Sequence, residues 1–347
     1  MAELLSPTPE NLARAAEALR RGEVVGMPTE TVYGLAGNAL DAQAVARIFA
    51  VKERPTFDPL IVHVAPQSPG LEALAQAELV DPAQLDEASR TQAELLIARF
   101  WPGPLTLVLP RGARVPDLVT SGLPNVAVRM PRHRVAQALI RAAGCPLAAP
   151  SANRFGRISP TSAADVQTEL GDRIGFIVDG GECELGLEST VLALEPRGAT
   201  LLRPGGVPKA ELERALGMPL RAPDSTANAP AGPGMLASHY APRKPMRLLD
   251  GPLPAARFPP SLPSTIGVLA QRGDAAQLAA ELSKTSGRAV RVQVLSPTGD
   301  LDEAARRLFS AMRALDASDA ELLFAEPCPS EAGLGHAIGD RLRRACA

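Results

Sequence analysis

The chain has 347 residues, 46% of them apolar and 21% charged, with a formal net charge of −2. Those values exclude a disordered chain, a helical membrane span, since no apolar run approaches ~18 residues, and a nucleic-acid binder that works through bulk positive charge. The length points to two domains rather than a single core.

The first stretch has no basic start leading into an apolar block, so a secretory signal is not expected. Leu12, Ala15, Ala16 and Leu19 recur at helical spacing, and Gly22 stands where that helix stops. "EVVGMPT" reads as a strand, and the Thr29, Glu30 and Thr31 that follow form a turn that either contacts a ligand or caps the next helix. Asp41 is placed to cap a second helix, whose apolar face is Ala44, Val45, Ile48 and Phe49 and which runs into Lys52. "KERPTFDPLIVHV" then carries two cations and two prolines into an apolar strand.

Further strands are expected at "LTLVL", "NVAVRMP", "PLAAPSAN", "GFIVDGG", "STVLALE" and "ATLLRPGG", with helices near 84–100, 132–143 and 162–170. Without a regular βαβ repeat, this mixture predicts an α+β domain on a twisted mixed sheet with an open cleft, spanning 1–216. Residues 217–245 are dense in Pro, Ala, Gly and Ser and read as a linker. Beyond them, "MRLLD", "TIGVLA", "RAVRVQVLS" and "AELLFAEP" alternate with helices near 274–283, 300–315 and 335–346. That pattern predicts a smaller Rossmann-like, parallel-sheet domain over 246–347, an α/β chain overall.

Several chemistries find no motif. There is no GxxxxGK[ST] phosphate loop, no GxSxG elbow and no HExxH. The glycines at 333, 335 and 339 have the wrong spacing for a dinucleotide fingerprint and suit a tight turn into a last helix. Cys145, Cys183, Cys328 and Cys346 form no CxxC pair, and the four histidines are scattered, so free thiols in a cytoplasmic chain with no protein-built zinc site are expected.

The polar residues instead gather at strand ends. Between Asp117 and Asp165 no acid occurs, while six arginines do, which favours a local anion site. Val126, Val128 and Met130 share one strand face and throw Arg129 onto the other, where it needs either a structural carboxylate or an anionic ligand. Ser151, Asn153, Ser159, Thr161 and Ser162 follow an apolar strand, with Arg154 and Arg157 nearby. A helix cap accounts for Thr161 or Ser162 but not for Ser151 and Asn153, and hydroxyls, amides and guanidinium groups are what a polyphosphate needs when no phosphate loop exists. Ser189 opens one strand and Arg203 closes another. Such a set suits phosphoryl or nucleotidyl transfer, run by positioning and charge neutralisation.

In order, "PTETVYGLAGNA", "KERPTFDPLIVHV", "FWPGPLTLVL", "VAVRMPRH", "APSANRFGRISPT", "GLESTVL", "LLRPGG", "SHYAPRKP" and "GLGHAIGDRLRRA" closely resemble the long, two-domain form of the L-threonylcarbamoyladenylate synthases. The resemblance covers nearly the whole chain. It implies a nucleotidyltransferase that joins L-threonine, bicarbonate and ATP, with its magnesium, into threonylcarbamoyl-AMP and pyrophosphate. A downstream threonylcarbamoyl transferase machinery then modifies adenosine 37 of tRNA.

Carried over by position, the family's Lys-x-Arg and Ser-x-Asn pairs fall on Lys52 with Arg54, the catalytic pair, and on Ser151 with Asn153. ATP contacts are implied for these four and for Asp58, Asn125, Ser159, Arg203 and Tyr240. Threonine contacts are implied for Thr31, His63, Arg129, Ser189 and the backbone at Ala149. Asp58 occupies a position often basic or amide in that family, and its contact would run through magnesium. The linker is expected to lie over the cleft as a lid. The contrasting reading is a double-stranded RNA-binding module without catalysis, against which the neutral charge and 3% aromatic content argue.

Overall fold

The computed structural model describes residues 1–67, 69–223, 239–253, 258–330 and 332–347. These divide into two compact units. The first holds Met1–Phe155, Pro160–Glu184 and the described part of Glu188–Met235; the second holds Gly156–Ser159, Leu185–Leu187 and the described part of Leu236–Ala347.

The first unit is built on ten strands: β1 (Glu3–Leu5), β2 (Val25–Met27), β3 (Gly34–Asn38), β4 (Ile61–His63), β5 (Leu105–Pro110), β6 (Asn125–Arg129), β7 (Leu147–Ala148), β8 (Phe176–Val178), β9 (Thr190–Glu195) and β10 (Gly198–Arg203). They form one mixed sheet in the order β1-β8-β2-β3-β7-β4-β6-β5-β9-β10. Neighbours run both ways: β4 is parallel to β6, for example, and β5 is antiparallel to it. Strand β3, "GLAGN", has no hydrophobic alternation to announce it. Its Gly37 lies against Ile48, where an added Cβ would come within 3.1 Å of that side chain.

The helices form where caps and periodicity place them. Pro9–Arg20 begins at Thr8, whose side chain accepts the amide of Asn11, and Ala42–Lys52 begins at Asp41, which accepts the amide of Gln43. Pro9–Arg20 and Arg134–Ala143 pack against β2, β3, β7 and β8 through a core containing Leu19, Val25, Met27, Leu139 and Leu147. On the other face, Ala42–Lys52 and Glu87–Phe100 bury Val45, Ile48, Leu96 and Ile97 against Val62, Leu107, Val128 and Leu192. A third cluster of six residues, Ile61, Val108, Ala127, Val191, Ala193 and Leu202, is drawn entirely from strands β4, β5, β6, β9 and β10. Over that half of the sheet, the helix-covered core lies on one face and this small strand-only cluster on the other.

The second unit contains β11 (Met246–Leu248), β12 (Thr265–Ala270), β13 (Ala289–Val294) and β14 (Leu322–Ala325), all parallel, in the order β11-β14-β12-β13. The helices Ala275–Ser286 and Leu301–Ala317 make the crossovers, which is the doubly wound pattern expected from the alternating sequence. Of the linker expected over 217–245, residues 224–238 lie outside the described residues, and with them most of the expected lid. Among the described residues no helix is long and apolar enough to cross a membrane.

Candidate active site

Strand alternation places the functional side chains. Residues two apart share a sheet face, so Ile61 of the strand-only cluster carries His63 onto its face, Ala127 carries Arg129, Val108 carries Thr106, and Val191 carries Ser189. His63 and Arg129 are direct partners in the β4–β6 register. One sheet face therefore collects an imidazole, a guanidinium and two hydroxyls above a small apolar floor.

Arg129 is the centre of this group and is almost fully buried. Its Nε donates to Gly103 O at 3.2 Å and its Nη1 to Thr31 Oγ1 at 2.9 Å. Its Nη2 stands 2.7 Å from Glu30 Oε1, a pair with side chains 4% and 0% exposed. The structural carboxylate that Arg129 needs is thus Glu30. Burial alone would raise the Glu30 pKa, but the charge of the Arg129 paired with it prevails and holds the carboxyl below its usual range. Neither Glu30 oxygen accepts a hydrogen bond, and Arg129 Nη2 donates none, among the described residues. Buried donors and acceptors left in that state are what a polar ligand satisfies.

The surrounding loops hold this centre in place. Thr29 Oγ1 donates to Val32 O at 2.6 Å and accepts the amide of Thr31, so "PTET" forms a hydroxyl-closed turn into β3 rather than a helix cap. Gly103, which offers its carbonyl to Arg129, takes the amide bond to Met130 O in return. His63 Nδ1 lies 3.2 Å from Ile61 O, and burial, helped by the nearby Arg129 charge, lowers the ring's pKa to about 3. It is a neutral hydrogen-bonding group at any physiological pH. Arg203 donates through Nε and Nη2 to Ser189 O, and through Nη2 to Ser189 Oγ at 3.1 Å, while that hydroxyl lies 2.7 Å from Thr106 Oγ1. Gly205 closes the loop after Arg203 so tightly that a Cβ there would meet Glu188 O at 2.4 Å.

A second group lies at the entry to β4. Helix Ala42–Lys52 ends at Glu53 in the left-handed region, φ 54°, which turns the chain sharply between Lys52 and Arg54. Lys52 is buried, and its Nζ donates to Ser151 O and Asn153 O. Burial, then the neighbouring Arg54 charge, pushes its pKa well below the usual lysine value. The Lys-x-Arg and Ser-x-Asn stretches are thereby one unit, with the lysine tying the second loop to the first. Lys52→Met is expected to leave both carbonyls without this donor and to lower stability by roughly 1–3 kcal/mol for each group left buried and unmet. A urea titration measures this; an unchanged midpoint together with lost activity would make Lys52 a ligand contact and not a loop tie.

Asp58 is also buried, and the Arg54 side chain beside it is only 6% exposed. Arg54 Nη2 stands 2.8 Å from Asp58 Oδ2, its Nε donates to Asp58 O, and its Nη2 donates to Pro59 O. The guanidinium carbon lies 5.9 Å from the centre of the Phe155 ring.

Comparison with known proteins places this geometry. A family model described as "Telomere recombination" matches residues 17–205, and one described as "Threonylcarbamoyl-AMP synthase, C-terminal domain" matches residues 207–347. The chain is 41% identical to the threonylcarbamoyl-AMP synthase of Pyrococcus abyssi, over 95% of this chain and 92% of that one. It is 40% identical to the Bacillus subtilis threonylcarbamoyl-AMP synthase, over 98% and 94%. The chain belongs to the threonylcarbamoyl-AMP synthase family. Among solved structures it is similar to P. abyssi Sua5 complexed with L-threonine, with a TM-score of 0.81 and 36% identity, covering 99% of this chain and 98% of that one.

Of the positions that the family resemblance implies, the structure brings Thr31, His63, Arg129, Ser189 and Arg203 onto or against one sheet face, and Lys52, Arg54, Asp58, Ser151 and Asn153 to the entry of β4. Asn125 lies at the opposite end of β6 from Arg129, about 13 Å along the strand at ~3.3 Å per residue, level with that entry and exposed. Ala149 spends its amide on Ile61 O, so its carbonyl is what its backbone has left for a ligand. Ser159 and Tyr240 belong to the second unit. Ser159 is fully buried there, and the Tyr240 ring stacks on Phe309 at 5.5 Å, with the Arg344 and Arg341 guanidinium carbons 4.9 and 5.2 Å from its centre. Thr106 and Gly103 are not among the residues expected from the sequence, and Glu30 is named there only as part of the Thr29–Thr31 turn, not as the carboxylate that Arg129 needs.

Proposed function

We propose that this chain is a nucleotidyltransferase that condenses L-threonine, bicarbonate and ATP into threonylcarbamoyl-AMP with release of pyrophosphate. The product would pass to a transferase that modifies tRNA, in the cytoplasm. The observation that supports this reading is the buried Arg129–Glu30 ion pair, on the same strand pair whose entry holds the Lys52–Arg54 loop.

Threonine's carboxylate pairs with Arg129, and its hydroxyl meets the neutral His63 and the Thr31 and Ser189 hydroxyls. The amine and bicarbonate give a carbamate and water; a carbamate oxygen attacks the α-phosphorus and pyrophosphate leaves. Two anions must approach, so the fixed cations of Arg54 and Arg203 lower the barrier by offsetting triphosphate charge in a site shielded from water. The family also implies magnesium. Among the described residues no group of three or more His, Cys, Asp or Glu side chains could hold a metal, and cations dominate the site. Magnesium therefore enters as part of the ATP substrate, carried mainly by phosphate oxygens and water.

Purified protein incubated with ATP, bicarbonate and each amino acid in turn is expected to release pyrophosphate only with threonine. RNA retention without any such release would replace this reading with the RNA-binding one.

A further inference from the structure

Asp58 is fully buried, and neither of its carboxylate oxygens accepts a hydrogen bond among the described residues. A carboxylate out of water normally collects two or more donors. Here the charge is met by an ion pair instead: Oδ2 stands 2.8 Å from Arg54 Nη2, with side chains 0% and 6% exposed. The guanidinium, by contrast, is anchored by hydrogen bonds to the carbonyls of Asp58 and Pro59. The loop closes on itself where Asp58 N donates to Pro55 O, and Leu60 N ties its end to Val119 O. Arg54 is therefore held by backbone carbonyls, which a ligand leaves in place, and neutralised by a carboxylate with poor geometry.

We propose that Asp58 is an internal counter-anion that competes with the triphosphate of the nucleotide for Arg54. It is a positioning residue that sets nucleotide affinity and takes no part in bond making. In the ligand-free protein it stands in for a phosphate, which keeps the buried guanidinium from being uncompensated. When the triphosphate arrives it offers Arg54 straighter, charge-assisted hydrogen bonds, and the carboxylate next to it opposes binding by like-charge repulsion. Affinity for ATP is then lower than the cation set alone would give, and the bound nucleotide is more easily released. The inference rests on the proposed function, in which Arg54 faces the triphosphate.

The test compares wild-type protein with Asp58→Asn and Asp58→Glu by calorimetric titration of an α,β-methylene ATP analogue at fixed magnesium, with steady-state kinetics in parallel. Asp58→Asn is expected to bind the analogue about tenfold more tightly, ~1.4 kcal/mol. Its KM for ATP falls to match, while kcat changes less than about threefold. Asp58→Glu, which keeps the charge, stays within about twofold of wild type. If Asp58→Asn does not fold, Asp58→Ser serves in the same comparison. Affinity that is unchanged or weaker in the neutral variants overturns the proposal, and weakening that tracks magnesium would make Asp58 a metal contact. Wild-type protein that binds no analogue overturns the proposed function as well; binding by wild type with no gain in the variants overturns this inference alone.

Discussion

Arg54→Ala is expected to lower kcat/KM for ATP by about 10²- to 10³-fold, the loss typical of removing one fixed charge or donor aimed at the transition state, and to destabilise the fold as well. The second effect follows from Asp58. With the guanidinium gone, a fully buried carboxylate that accepts no hydrogen bond loses its ion-pair partner, and breaking such a pair costs about 3–5 kcal/mol. The two losses separate in a double-mutant cycle. Arg54→Ala with Asp58→Ala removes both charges, so most of the stability returns while turnover stays low. Urea midpoints and pyrophosphate release on the four proteins give the cycle. Activity that returned together with stability would mean that Arg54 acts only by holding the loop, and its charge-neutralising part would be withdrawn.

The same pair shows what could be read from the chain before its fold. Lys52, Arg54, Ser151 and Asn153 stood out as donors in a chain without a phosphate loop. That Lys52 turns its ammonium to Ser151 O and Asn153 O, 99 and 101 residues away, depends on tertiary register, and no local pattern records it. Asp58 looked out of place beside a phosphate site because its partner is four residues back, inside a loop folded by its own prolines. Elements with strong periodicity or caps were legible: the helix after Asp41, and the strand that throws Arg129 away from Val126 and Val128. Strand β3 was not, because "GLAGN" trades hydrophobic alternation for glycine where Ile48 packs close. Nor were β1, of only three residues, and the helix Lys209–Leu216, which buries only Leu212. Those segments take their conformation from neighbours more than from their own side chains.

Arg129→Met tests the other centre, and its outcome depends on pH in a defined direction. In the wild-type protein Arg129 holds the Glu30 pKa below the usual carboxylate range. A depressed carboxyl contributes stability that is present above its unfolded pKa and is lost as pH falls through the folded one. Methionine keeps much of the volume and removes the charge, so burial, the largest influence on Glu30, loses its main opponent and the pKa rises above the unfolded value. The folded variant then binds a proton more tightly than the unfolded chain does, and its stability falls as pH rises. At pH 8 the variant is expected to be about 3–5 kcal/mol less stable than wild type, and the gap narrows towards pH 5 as Glu30 becomes protonated. Adding Glu30→Gln to Arg129→Met removes the titrating group and is expected to flatten the profile. Threonine binding is expected to weaken in both variants by about 30-fold or more, the usual cost of removing one member of a buried hydrogen-bonded charge pair, ~2–5 kcal/mol. Urea midpoints between pH 5 and 8 decide the matter. Parallel curves for wild type and Arg129→Met would show that Glu30 does not depend on Arg129 for its charge, and the electrostatic account of this centre would fall.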